Sequence, residues 1–131
     1  MWDEGALSFK ENGPEFLKNS AGYAMIDPEL SVAERITQML EEELLAAETG
    51  DDPILRKTAI ALRSVMRTPR EVTVNFSGGI TQTCWSVAKG DGDYRVIYLP
   101  TAGYFSLCVE SDFGPLDIGV HGSALGCFGS V

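Results

Sequence analysis

Residues 71–120 constrain the fold of this chain more than any other stretch. They contain five short runs rich in β-branched and aromatic residues, each ended by glycine, proline or acidic residues. That punctuation is the pattern of an antiparallel meander. In the first run, 71–76, Val72, Val74 and Phe76 fall on one face and Thr73 and Asn75 on the other. Gly78-Gly79 follows, and paired glycines suit a tight hairpin whose central residues need positive φ. A second run extends from Ile80 to about Ala88, where Thr81, Thr83, Trp85 and Val87 oppose Ile80, Gln82, Cys84 and Ser86. A polar turn over 89–93 leads to 94–99, apolar on both faces apart from Arg95, as expected of a central strand covered on both sides. Turns at 100–103 and 111–114 open the last two runs, 104–110 and 116–120.

Upstream the period changes from two to three and four residues. Ser31 with Glu34 forms a capping box, and Val32, Ile36, Met39, Leu40, Leu44 and Ala47 make one apolar stripe of a helix. Gly50 is expected to end this helix in the left-handed conformation. Asp52 then caps a second helix with Pro53 at its first position; its stripe is Leu55, Thr58/Ala59, Leu62 and Val65/Met66, and Thr68-Pro69 stops it. So short a connection makes the pair an antiparallel αα-hairpin over 28–67. Residues 1–26 show no sustained period but hold Trp2, Phe9, Phe16 and Tyr23, which suggests an irregular arm lying on the body or on a neighbouring subunit. The tail after Val120 reads as a sixth, irregular edge strand with Leu125 and Phe128 in the core.

The expected fold is therefore α+β: an N-terminal arm, an αα-hairpin, then a five- or six-stranded antiparallel meander sheet over 71–131 with the helices on one face. A chain of 131 residues with 44% hydrophobic content forms one domain, 1–131, that needs no metal or disulfide to complete its core. Three cysteines, 24 and 19 residues apart, fit neither a disulfide framework nor zinc spacing. They read as reduced thiols in a cytoplasmic protein. The acidic start lacks an apolar leader, and no run approaches the roughly 18 residues of a membrane span, so no membrane contact is expected.

Net charge is −9, which argues against nucleic acid as a partner and for a basic protein. The charge is uneven: residues 1–50 carry −8, 51–70 carry +3 and 71–131 carry −4. In an antiparallel helix pair Glu48 is expected near Arg56, Glu41 near Arg63 and Glu34 near Arg70. Glu41, Glu42 and Glu48 are the binding residues expected on an acidic docking surface. Trp85, Tyr94, Tyr98 and Tyr104 are a second binding set, since a sheet face lined by amphipathic rings suits a partner or a ligand.

No catalytic constellation is evident. His121 is the sole histidine. Asp117 shares its strand face, but four residues at ~3.3 Å each separate the two by ~13 Å, too far for a hydrogen bond. Cys127 or Ser123, folded back through the glycine-rich tail, would supply a nucleophile beside His121 without a third member. Cys84 and Cys108 read as small buried hydrophobes. No spacing suggests a cofactor or a metal; Asp91 and Asp93 lack the downstream carboxylate of a calcium loop, and Gly78-Gly79 lacks the residues of a phosphate loop.

The function expected from these features is a small acidic cytoplasmic binding or inhibitory protein, antidote- or adaptor-like, without catalysis, docking a basic partner. The alternatives are a small-molecule-binding or hydrolytic enzyme with a cleft near the aromatic face and His121, and a structural homodimer.

Overall fold

The Ser31 hydroxyl accepts from the Glu34 amide while the Glu34 carboxylate accepts from the Ser31 amide, and this reciprocal box starts helix α1, Val32–Glu48. The computed structural model describes residues 30–131, so the N-terminal arm expected over 1–26 lies outside the described residues. Helix α2, Pro53–Val65, begins as expected, with Asp52 Oδ1 accepting from the amides of Ile54 and Leu55. The end of α1 differs from expectation. Gly50 is not among the glycines with positive φ. Thr49 closes the helix instead, its backbone and hydroxyl both bonding to Leu45 O. Glycine is still favoured at 50, because a Cβ there would sit 3.1 Å from Ala46 O.

Five strands follow: β1 Met66–Phe76, β2 Ile80–Lys89, β3 Tyr94–Leu99, β4 Tyr104–Ser111 and β5 Gly114–Gly122. β1 starts five residues before its alternating part, so Thr68-Pro69 lies in a strand and does not stop a helix. The ladder is irregular there, since Met66 pairs with Ala88 but the next partners are Arg70 and Ser86. Such a bulge accommodates proline, which cannot donate to the ladder. Successive strands pair antiparallel, and Gly78 and Gly79, at φ 81 and 76, turn the first hairpin.

The sheet is not an open meander. It closes into a barrel, with β1 and β5 meeting in parallel at Asn75 and Leu116. The Asn75 side-chain amide reinforces the seam by donating to Phe113 O and Pro115 O. Closure splits the core in two. One cluster, Val74, Cys84, Ile97, Leu99 and Cys108, contains no helical residue and fills the lumen. The other joins Ile36, Leu40, Leu44, Ala59 and Leu62 of the helices to Val87, Val96, Phe105 and Leu107 on the outer face. Alternation along β3 and β4 assigns the rest. Arg95, Ile97 and Leu99 point one way and Tyr94, Val96 and Tyr98 the other.

The tail is a short helix, α3, Ala124–Phe128, so of the five or six strands expected the described residues form five. Ser123 caps it by accepting from Gly126 N, and Glu43 of α1 accepts from the amides of Ala124 and Leu125. Leu125 is buried and Phe128 packs against the helix-side core, so both anchors sit inside although the backbone is helical.

Candidate functional site

Four of the five acidic residues of α1 are in structural use. Arg63 of α2 reaches both Glu41 and Glu48, at 2.9 and 2.8 Å. Its hydrogen bond holds the Glu48 carboxyl below the usual carboxylate range and raises the guanidinium above its own. Glu48 therefore meets Arg63 where Arg56 was expected, and Arg56 donates to Gly50 O instead. Glu34 is taken by the capping box, and Glu43 by α3. Glu42, exposed, has no hydrogen bond or ion pair among the described residues.

The four aromatic residues divide. Trp85 and Tyr98, Cα partners across β2 and β3, pack half-buried on the helix-side core, with Tyr98 5.2 Å from the Phe105 ring. Tyr94 is on the same face but 44% exposed. Tyr104 points to the opposite face and stacks on His121 at 5.1 Å.

His121 and Asp117 are within hydrogen-bonding distance, which corrects the separation expected from an ideal strand. His121 Nε2 lies 3.2 Å from each Asp117 carboxylate oxygen. The cause is a bulge: Leu107 pairs with Val120 and Cys108 with Asp117, so β5 carries two extra residues, and Gly119 at φ 83 folds them back. The buried Ser106 hydroxyl donates to Asp117 Oδ1, and Gly119 N donates to Oδ2. The order is Ser–Asp–His, with the carboxylate in the middle. A nucleophilic serine needs its base beside the hydroxyl and the acid behind the base, so this arrangement ties the bulge down and activates no nucleophile. The other two residues considered for catalysis are engaged elsewhere. Ser123 caps α3, and the Cys127 thiol, buried and pushed up to about 11 by desolvation, donates to Val120 O.

Two recesses flank the end of the barrel where β2 turns into β3. One, of about 200 Å³, is mainly apolar and lies on the helix side, lined by Val65, Ala88, Tyr94, Val96, Leu107 and Phe128 among others. The second, about 260 Å³, is lined by Arg67, Thr68, Arg70, Ser86, Lys89 and Arg95. Every lysine and arginine that follows Arg63 in the sequence is in that set. The β1 bulge brings Arg67 and Arg70 there; Arg70 pairs with Ser86, and Lys89 with Arg95. Arg95 is the anchor. Its side chain is 10% exposed and donates to Glu110 at 2.6 Å and to the Ser86 hydroxyl at 2.8 Å. No carboxylate among the described residues pairs with Arg67, Arg70 or Lys89; the Lys89 ammonium donates to Gly92 O. Four lining cations with one ion-paired carboxylate among the described residues leave an excess of about three positive charges, in a chain of net charge −9. The sequence reading missed this site because the cations are spread over 29 positions; the available signal was that both cations of the sheet region, Lys89 and Arg95, flank one turn.

Among the described residues no group of His, Cys, Asp or Glu is placed to hold a metal ion, and no helix is long and apolar enough to cross a membrane. No protein-family model matches the chain, and no curated protein or solved structure matches it either.

Proposed function

We propose that this protein binds a compact anionic small molecule in the basic recess and does no chemistry on it. The observation that carries the reading is the convergence of Arg67, Arg70, Lys89 and Arg95 on one concavity with Glu110 as the sole paired carboxylate among the described residues. Cations gathered against their own repulsion within an acidic chain imply an anion that relieves it. Arg95 is already oriented by Glu110 and Ser86, so little freedom is lost when it meets a ligand. Charge-assisted hydrogen bonds at ~1.5–3 kcal/mol each, set against the cost of association, give an expected Kd on the order of 0.1–1 mM for a minimal anion. The three free thiols fit a reducing cytoplasmic setting.

The test is calorimetric titration at low salt with benzoate, phenyl phosphate and neutral phenol. An anion should bind, phenol should not, the ligand should be recovered unchanged, and Arg70→Ala should weaken binding. Anions that fail to bind, or that bind Arg70→Ala equally well, contradict the reading.

A second reading is docking to a protein, either a basic partner or a second copy of the chain. It is favoured by Leu45, Ile54 and Ile60 on the helices, which are 60%, 77% and 60% exposed. Light scattering at two concentrations tests self-association; a mass equal to that of the monomer at both removes the homodimer.

A further inference from the structure

We infer that the anion is a phosphoryl dianion, carried by a phosphate monoester or by free phosphate, an inference that rests on the anion-binding reading above. Charge comes first. With Glu110 subtracted from the four cations, the described residues of the recess carry an excess of about +3, so a carboxylate or sulfate monoester leaves most of it unanswered. A phosphate monoester, with its second ionisation near pH ~6, carries close to two negative charges at neutral pH.

Donor geometry points the same way. The lining residues come from three strands: Arg67, Thr68 and Arg70 from β1, Ser86 and Lys89 from β2, and Arg95 from β3. A carboxylate offers two oxygens in one plane, whereas a phosphoryl group offers three oxygens in a pyramid, which donors on separate strands can reach together. Guanidinium forks bind phosphoryl oxygens in pairs, and an ammonium adds a compact point charge. Thr68 supplies a hydroxyl at the same rim. The Ser86 hydroxyl, buried and accepting from Arg95, keeps that guanidinium aimed. The volume of about 260 Å³ accommodates a phosphoryl group with a small organic remainder, below the range of drug-sized pockets.

The discriminating experiment is calorimetric titration of the full chain with phenyl phosphate, phenyl sulfate and inorganic phosphate at about pH 7.5, above the second phosphate ionisation. Phenyl phosphate and phenyl sulfate match in shape and differ by one charge. Phenyl phosphate is expected to bind at least roughly tenfold more tightly, a difference of ~1.4 kcal/mol. Arg70→Gln, at an exposed position where folding is not at stake, is expected to remove most of that preference. Inorganic phosphate matching phenyl phosphate would support the inference and identify the free ion as the ligand; weaker binding would support it with an ester as the ligand. Phenyl sulfate binding as tightly as phenyl phosphate overturns the inference and leaves the anion-binding reading standing. Failure of all three anions overturns both.

Discussion

His121 Nε2 lies 3.2 Å from the Asp117 carboxylate although four residues of a strand separate their positions. The contact exists because the chain folds back at Gly119, with φ 83. Ser106, on the neighbouring strand, holds the same carboxylate from inside the barrel. The cluster is a clasp on the β5 bulge.

Gly119→Ala tests the clasp. A Cβ at this position would meet nothing within 4 Å, so any cost is backbone strain and not crowding. A non-glycine residue held in the left-handed region costs about 1–3 kcal/mol. Urea unfolding of Gly119→Ala should show a loss in that range; an unchanged midpoint would mean that the bulge relaxes freely.

Glu43 and Glu42 are adjacent, yet their substitutions should differ. Glu43 accepts from two amides at the start of α3, whereas Glu42 is exposed. Glu43→Ala is expected to cost about 0.5–2 kcal/mol, the value of a lost helix cap, and Glu42→Ala less than about 0.5 kcal/mol. Chemical denaturation of the two variants gives the comparison, and equal effects would count against α3 being held from α1.

Glu110→Ala should be more damaging than Glu41→Ala. Arg95 is 10% exposed, and removing Glu110 leaves its charge without a carboxylate. This pair is part-buried, with Glu110 28% exposed, so its loss should cost about 1–3 kcal/mol, the value for a desolvated group left unpaired. Arg63 and Glu41 are 40% and 47% exposed, and such a pair is worth ~0–1 kcal/mol. A thermal melt of each variant distinguishes the two regimes.

The three thiols should be inert in the native protein and should make it alkali-sensitive. Desolvation pushes Cys84 up to about 11, Cys108 to about 12 and Cys127 to about 11, from an ordinary value of 9.0. The folded chain thus keeps protons that the unfolded chain releases, and stability is full below pH ~9 and falls as pH rises toward 11 and 12. A disulfide reagent at about pH 8 should label the native protein slowly and the urea-unfolded protein rapidly. Cys108→Ala should lose less stability than the wild type between about pH 8 and 10. Rapid native labelling, or equal losses, would contradict this.

How far the sequence could be read depends on range. Alternation over Val72, Val74 and Phe76, the Gly78-Gly79 hairpin and the Ser31 and Asp52 caps are local signals, and each appears in the structure. Closure of the barrel rests on the accumulated twist of five strands and on one meeting of Asn75 with Leu116, which no local pattern encodes. α3 has only five residues, two of its amides held by Glu43 from 81 and 82 positions away, so glycine content misled the reading toward a strand. The Asp117–His121 contact was missed because a uniform rise per residue was assumed across a bulge. The basic recess depends on a second bulge, at Met66 to Arg70, that carries two arginines to the mouth of the barrel.

The most direct test of the account is a titration of isotopically labelled protein with phenyl phosphate, followed by amide chemical shifts at low salt. The account predicts saturable shifts concentrated at Arg67, Thr68, Arg70, Ser86, Lys89 and Arg95, lost in Arg70→Ala. Shifts centred on Glu41 and Glu42 or on His121, or no shifts at all, would contradict it.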